Sequence, residues 1–489
     1  MKFKDIRALA SVQGPARSVA ERLGRSCYSV EDMRKLAAKR LPKSIFEYIE
    51  GGGEDEVSLR RNRSSFEDWS FLPKWGSVDN LNLRSTLLGG PVSMPLTLSP
   101  TGGTRLFHPK GERAVAHAAL AAGVPYGLAH LSTTTMEDVS AAAPALRRWF
   151  NLEPTPDKGL LQAVLDRVSN AGYEALLVNV DCRAIGHRER DYRNGFTAPP
   201  SIKPKTVVEG MLHPAWALGF LANDAIAFPN LDAEIPEGPL ASSPDMWRTL
   251  LAGSYEPTDW DDIRELRERW AGPIVLKGVV NPNDAAMAAS LEIDAIQVSN
   301  HGGRQLDHMA APLDVLQDIV ERVAGRMEII VDGGIRRGSD VVKALALGAN
   351  ACSIGRPYLY GLAAAGEAGV AHVLKGRFEP LESPRRPHLF FDLQRVAQCP
   401  VRSVGSLFRR QPGGSLVVSF QIEVVAQLAL QVSIAGLAAI AGERGEPPFE
   451  PSPYGHFIPP RPVPSLGQSL PRAAAIWSAR RSAAFCQRE

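Results

Sequence analysis

The chain has no excess of charge of either sign: 55 Lys and Arg against 53 Asp and Glu leave +2 over 489 residues. Nucleic-acid binders need clustered cations, so no nucleic-acid partner is expected. Cysteine is scarce. Cys27, Cys182, Cys352, Cys399 and Cys486 are scattered, odd in number and without metal-ligand spacing. That argues against a disulfide framework or a zinc site and fits a reducing compartment. Charged residues follow Met1, and no apolar core stands behind Lys2-Phe3-Lys4-Asp5. No secretory signal and a cytoplasmic location are therefore expected. Long apolar runs are almost missing as well. The stretch from Leu416 to Gly442 carries Glu423 and several glutamines, and its uncharged part, Val424 to Gly442, is near the length that crosses a bilayer. Its glutamines and small residues weigh against a span, so a packed helix or an extension is expected there.

What the chain has in quantity is alternation. From about Leu96 to about Leu362, short apolar runs alternate with stretches rich in Ala, Leu and charge. The rhythm predicts parallel strands with helical crossovers. The strand candidates are Leu96-Thr97-Leu98, Pro125 to Leu128, Trp149 to Leu152, Ala175 to Val180, Ile274 to Lys277, Ala295 to Val298, Glu328 to Val331 and Ala351 to Ile354. Eight such units make an α/β chain of the (β/α)8 TIM-barrel class, whose active site lies at the strand C-termini. Residues 1–90, with the amphipathic stretch Val30 to Leu36 and Gly51-Gly52-Gly53, are expected to form an N-terminal helical cap. The barrel is assigned to 91–409, with a long insertion at about 190–258 after the fourth strand, and 410–489 is a C-terminal extension of unknown role. The insertion carries an apolar patch from Met211 to Phe220 around Trp216. Three uses of it stay open: covering the site, touching a membrane surface, or packing on the barrel.

The strand ends carry the chemistry. Ser299-Asn300-His301-Gly302-Gly303-Arg304-Gln305-Leu306-Asp307 follows the sixth strand candidate. A histidine there moves a proton near neutral pH, and an arginine grips a carboxylate with a bidentate fork. A glycine pair after a strand is also ordinary turn punctuation. Two further strand ends open the same way: Val331-Asp332-Gly333-Gly334-Ile335-Arg336 and Ile354-Gly355-Arg356. Bare backbone N–H groups beside a cation can receive a phosphate. Lys277 ends the fifth strand candidate, either stabilising an anionic ring or phosphate or snorkelling from the strand end. Asp181 ends the fourth, either orienting a histidine or capping a helix, with Arg188 close beyond it.

The segments SNHGGRQLD, VDGGIRRGSD, ALALGANACSIGRPYLYGLAA, LPKSIFEYIEGGGEDE and SPTGGTRLFHPKGE resemble the FMN-dependent 2-hydroxy acid dehydrogenase and oxidase family, which includes L-lactate dehydrogenase, mandelate dehydrogenase and glycolate oxidase. The resemblance runs from about Tyr28 to about Gly369. It implies His301 as the active-site base and Asp181 as its carboxylate partner. Arg304 and Arg188 would bind the substrate carboxylate, with a hydroxyl contact from Tyr28. Lys277 would sit beside the flavin N1/O2 edge and favour the negative charge of reduced flavin. Pro100-Thr101-Gly102 would lie under the isoalloxazine, and Ser299 joins the cofactor-binding set. Asp332, Gly333, Gly334, Ile335 and Arg336, with Gly355 and Arg356, would hold the ribityl and phosphate groups.

The chain departs from the family on its third strand. The pattern WFQLY becomes Trp149-Phe150-Asn151-Leu152-Glu153, so Asn151 replaces a flavin-contacting glutamine and Glu153 a substrate-facing tyrosine. Ala129 replaces a serine near the flavin, and Asn179 a threonine. Asn keeps hydrogen-bonding capacity at altered reach; Ala has none. A carboxylate at Glu153 should repel an anionic substrate unless it is protonated or turned away. Gly376 to Leu389 reads as an altered stretch before Phe391 to Arg395, and the tail beyond about Arg410 has no family counterpart.

The expected activity is FMN-dependent oxidation of an L-2-hydroxy acid, L-lactate first, to the 2-oxo acid. Electrons would pass to a quinone, another acceptor or oxygen. Mandelate-type substrates stay open, because Gly186 to Asp191 and Leu212-His213-Pro214 resemble that branch. The partners implied are a small 2-hydroxy acid, further copies of the chain in a homo-oligomer, and peripheral contact with the inner face of the membrane. The competing reading is a catalytically weak flavin-binding paralogue whose insertion and tail dock on a protein or membrane.

Overall fold

The computed structural model describes residues 15–71, 82–153, 157–182, 186–195, 204–224, 226–231, 259–375 and 408–410. Among the described residues four helices come first: Val19–Ser26, Val30–Arg40, Lys43–Glu50 and Val57–Ser64. Ser18 and Ser29 cap the first two by accepting from the backbone N–H of Glu21 and Asp32, which satisfies donors that a helix N-terminus leaves open. Strand β1 (Trp69–Phe71) pairs antiparallel with β12 (Phe408–Arg410), and β2 (Ser85–Leu87) with β3 (Gly90–Val92) form a hairpin.

The next eight strands are parallel and close into a barrel: β4 (Leu96–Leu98), β5 (Tyr126–Ala129), β6 (Arg148–Leu152), β7 (Ala175–Asn179), β8 (Ile274–Val279), β9 (Ala295–Val298), β10 (Glu328–Asp332) and β11 (Ala351–Ile354). Neighbours in space follow chain order, and β11 closes on β4. Every strand candidate falls on one of these strands. The fold is the TIM barrel that the alternating pattern predicts.

Alternation along each strand sorts side chains between the barrel interior and the surrounding helices. Trp149, Ala175, Leu177, Val275, Ala295, Ile330 and Ala351 form one interior cluster, joined at its base by Leu87 and Val92 of the hairpin. Phe150, Leu176, Val178, Leu276, Ile296, Val298, Val331 and Cys352, of opposite parity, pack outward in the larger helix-facing core. Two residues beyond the inward apolar positions come Asn151, Asn179, Lys277, Gln297, Asp332 and Ser353, all buried. The interior is therefore an apolar layer below a polar one, and the polar layer faces the C-terminal mouth.

The last helix among the described residues, Arg356–Leu374, packs against the helices Gly111–Ala122 and Val30–Arg40. Arg40 Nη1 donates to the Ala364 carbonyl at 2.5 Å. Of the insertion, the described part contains the helices Glu189–Asn194, Pro204–Leu212 and Pro214–Leu221. Val424 to Gly442, Gly376 to Leu389, Phe391 to Arg395 and the extension beyond Arg410 lie outside the described residues. No helix among the described residues is long and apolar enough to cross a membrane.

Candidate active site

A cavity of about 390 Å³ opens at the C-terminal mouth, within the size range of small-molecule and cofactor sites. Among its lining residues are Pro100, Thr101, Gly102, Ala129, Asn151, Glu153, Asn179, Arg188, Lys277, His301 and Arg304. Asp332 to Arg336, Gly355 and Arg356 line it too. Asp181 and Ser299 sit one layer behind. Ser299 Oγ and Gln297 Nε2 both donate to Asp332 Oδ2 at 3.0 Å, which fixes the β9 and β10 ends against each other.

The turn after β9 is wound by three consecutive left-handed residues: His301 at φ 57°, Gly302 at 65° and Gly303 at 71°. For a histidine this conformation is uncommon and needs outside support. Ser299 Oγ accepts from the His301 N–H at 3.0 Å, and Asn300 exchanges amide bonds with Asn62 at 2.6 and 2.7 Å. The Gly51-Gly52-Gly53 segment lies directly on this turn. Gly53 N–H donates to the Gly303 carbonyl at 2.8 Å. A Cβ on Gly52 would stand 2.8 Å from that same oxygen, and one on Gly53 would overlap the Gln305 carbonyl. These glycines let the helical segment touch the His301 turn backbone to backbone.

His301 Nδ1 lies 3.3 Å from both carboxylate oxygens of Asp181 and 3.4 Å from Lys277 Nζ. The Asp181 side chain is 3% exposed and that of His301 29%, so the carboxylate is buried behind a ring that faces the cavity. Burial pushes the Asp181 carboxyl up, but the charges of His301 and Lys277 win and hold it down at about 2. Burial and the Lys277 ammonium lower the His301 imidazole below its ordinary range, against the pull of Asp181. The arrangement is a neutral ring oriented by an ionised carboxylate, with Nε2 left to take a proton.

Arg304 reaches back under the N-terminal helices. Its Nη1 donates to the Tyr48 and Gly51 carbonyls at 2.7 and 2.9 Å, and its guanidinium lies 5.0 Å from the centre of the Tyr48 ring. Arg188 stacks over the same ring at 5.8 Å and pairs through Nε with Asp191 at 2.9 Å. Burial, then the Arg188 charge, bring Arg304 down to about 9. Two guanidiniums against one aromatic ring repel until an anion lies between them.

Arg356 is built in the same way. It donates to Ile49, Gly302 and Gly51 carbonyls at 2.8, 2.9 and 2.9 Å. Those around residues 48–51 are the open carbonyls at the C-terminus of the helix Lys43–Glu50, the negative end of its dipole. Gly334 sits at φ 78°, where a Cβ would overlap the Asn62 carbonyl oxygen.

Tyr28, expected at the substrate carboxylate, does not line the cavity. It is 47% exposed, and its hydroxyl donates to the Arg25 carbonyl at 2.6 Å. Asp32 holds it at the start of the helix Val30–Arg40 by accepting from its N–H at 2.9 Å. The mouth is reached instead by the next helix, whose last turn carries Tyr48. That residue sits inside the segment LPKSIFEYIEGGGEDE, and an aromatic three residues before a glycine run was the signal available for it. Gln305, Tyr192, Phe107 and Phe228 also line the cavity without any sequence expectation attached.

The altered strand end forms a small network. Asn179 Nδ2 donates to Glu153 Oε1 at 2.5 Å, and Asn151 Nδ2 to the Leu177 carbonyl at 2.9 Å. Burial raises the Glu153 carboxyl to about 7, against the opposing pull of Lys277 and Asn179. The carboxyl that sequence alone places against an anionic substrate is thus half-protonated near neutrality.

The residues fit a flavin mononucleotide on three observations. Asn179 Oδ1 is buried and meets no donor among the described residues, and an isoalloxazine brings an imide N–H. Gly102 lines the cavity with main chain alone, and the Leu131 carbonyl, 2.9 Å from where a Cβ would stand, leaves no room for a side chain there. Arg336, Arg356 and the helix N-terminus at Gly355 border one side of the cavity, a donor set suited to a phosphate.

The family model described as FMN-dependent dehydrogenase matches residues 37–377. A putative L-lactate dehydrogenase of Mycobacterium tuberculosis is 37% identical over 76% of this chain and 89% of its own length. The (S)-mandelate dehydrogenase of Pseudomonas putida is 38% identical over 72% and 88%, and an L-lactate oxidase of Nostoc 40% identical over 70% and 89%. Among solved structures, that of the monotopic membrane protein (S)-mandelate dehydrogenase superposes with a TM-score of 0.71 at 35% identity, covering 78% of this chain and 99% of the other.

Proposed function

The chain belongs to the FMN-dependent dehydrogenase family and takes FMN as its cofactor, and from that premise we propose that it oxidises a small L-2-hydroxy acid, L-lactate first, to the 2-oxo acid. The observation that carries this reading is the pairing of His301 with Asp181 at 3.3 Å beside two guanidiniums stacked on Tyr48.

Arg304 and Arg188 hold the substrate carboxylate in this reading. His301 Nε2 takes one proton from the bound acid, and Asp181 stabilises the imidazolium that results. Burial and the Lys277 ammonium keep the ring neutral until that moment. FMN, when bound, supplies the two-electron acceptor. The test is anaerobic addition of L-lactate, (S)-mandelate and glycolate to the purified yellow protein. Rapid bleaching with L-lactate is expected; a flavin unchanged by all three would overturn the reading in favour of a catalytically weak flavin-binding paralogue, which the Glu153 strand end motivates.

A lipid-soluble acceptor such as a quinone fits the insertion. Val207, Val208, Met211, Leu212, Leu218 and Leu221 are 51 to 77% exposed on two adjacent short helices. Trp216 Nε1 ties the second of these helices to the Leu106 carbonyl at the cavity rim, at 2.8 Å. Such a contiguous apolar face beside the mouth suits peripheral contact with a bilayer. Vesicle flotation of the wild type, lost on changing Met211, Leu212, Leu218 and Leu221 to Ser, checks it.

A further inference from the structure

We propose that Asp181, Cys182 and His301 together form a binding site for a thiolate-preferring divalent cation of the Zn²⁺ type, and that its occupancy switches off the proton-accepting ring. Nothing in the local sequence announces the site, because one ligand comes from the end of β7 and another from the turn after β9. The structure closes that gap. Cys182 Sγ lies 3.5 Å from Asp181 Oδ1 and 3.8 Å from His301 Nδ1, and His301 Nδ1 lies 3.3 Å from Asp181. Tetrahedral zinc, with bonds of about 2.3 Å to sulfur and about 2.0 Å to nitrogen and oxygen, sets its ligands roughly 3.3 to 3.5 Å apart. The three atoms therefore need only a small movement of Cys182 Sγ, which otherwise accepts from Gln305 Nε2 at 3.0 Å. Cys182 and His301 both line the cavity, so an ion has a route in, and a water can complete the shell.

The consequence for the ring follows from proton balance. On binding, the ion displaces the thiol proton of Cys182 to solvent and takes the Nδ1 lone pair of a neutral imidazole. The ring proton then resides on Nε2, the nitrogen that would otherwise accept one. Lys277 Nζ, 3.4 Å from His301 Nδ1, repels every cation alike. Selection is then left to the thiolate, which favours Zn²⁺ and Cd²⁺ over hard ions such as Mg²⁺. Cys27 and Cys352, the other cysteines among the described residues, are buried away from this cluster.

The loss of turnover rests on the activity proposed above; binding of the ion does not. The holoenzyme is titrated with Cd²⁺ in the absence of substrate, and the ultraviolet thiolate-to-cadmium charge-transfer band is followed. One ion per chain at this site is expected, with Cys182→Ser lowering the stoichiometry by one or weakening that site by more than about tenfold. Cys182→Ala serves as the second variant, each judged by retention of its flavin spectrum. Zn²⁺ should also inhibit at saturating hydroxy acid, because the ion sits on the Asp181 side of the ring rather than on the substrate. Each cysteine variant, referenced to its own metal-free rate, should lose that inhibition. An unchanged cadmium band in both variants, equal inhibition of wild type and variants, or an equal effect of Mg²⁺ would each overturn the site. If no hydroxy acid is turned over, the cadmium titration still decides binding.

Discussion

On the side of the cavity formed by the turn after β9 and the ends of β10 and β11, the two arginines are held by main chain. Arg304 and Arg356 donate to carbonyls of Tyr48, Ile49, Gly51 and Gly302, and Gly303 and Gly334 have no room for a Cβ. On the side formed by β6 and β7, Asn179 is held through the side chains of Glu153 and Asn151, and Asn151 in turn through the Leu177 carbonyl. Main-chain partners do not change when a side chain does, so the first wall resists substitution. Side-chain partners can be exchanged in sets, and it is here that Asn, Glu and Asn stand in place of the family's Gln, Tyr and Thr. We propose that the first, rigid wall binds the cofactor and the carboxylate, and that the second, variable one sets substrate choice and pH response.

The strongest way to break this division is to empty the rigid wall of its base. His301→Ala should lower kcat/KM by about 10²- to 10⁴-fold, the usual worth of a general base, while flavin content stays near that of the wild type. Anaerobic bleaching by L-lactate measures it; bleaching at the original rate would refute the role of His301. Next comes the backbone itself. Gly334→Ala forces a left-handed alanine against the Asn62 carbonyl and should cost about 2 to 3 kcal/mol of stability. A lowered thermal midpoint and reduced flavin retention are expected, and an unchanged midpoint would show that this wall yields.

A smaller effect separates the two tyrosines. Tyr48→Leu removes the ring beneath Arg304 and Arg188 and should raise KM by roughly fivefold, about 1 kcal/mol of cation–π contact. Tyr28→Phe should leave KM unchanged. Steady-state kinetics of the pair checks the assignment, and the reverse pattern would restore Tyr28 to the site.

How much of this was legible in the sequence depends on whether a residue's role is local. The eight strands and the glycine-rich turns were readable, because alternation and glycine are local signals. The two inner layers were also implicit, since Trp149, Asn151 and Glu153 share one face by parity alone. Tyr48 was not distinguished from Tyr28, because the choice depends on which N-terminal helix ends at the mouth, a matter of packing between Arg40 and Ala364. Nor does the sequence place Cys182 near His301, since the two stand 119 positions apart. By sequence the Glu153 carboxyl reads as a repulsive charge; its burial is what raises it toward neutrality, against the bond from Asn179.

Glu153 gives the finest test of the variable wall, because its titration runs against that of His301. The lowered His301 makes the acid limb: activity rises with pH as the ring loses its proton, below its ordinary value of 6.5. Glu153, raised to about 7, is neutral below that pH and anionic above it. Above about 7 it therefore places a negative charge in the cavity that receives an anionic substrate, and KM should climb. Lys277, Asp181 and Asn179 face it and set how far. Lys277 attracts the ionised form and Asp181 opposes it, so the net penalty is expected on the order of 1 kcal/mol, severalfold in KM. Glu153→Gln keeps the hydrogen-bonding shape but cannot ionise. It should abolish the alkaline rise in KM while leaving the acid limb in place. If the alkaline limb persists in that variant, its cause lies on the rigid wall, where the lowered Arg304 at about 9 is the next group to lose its charge.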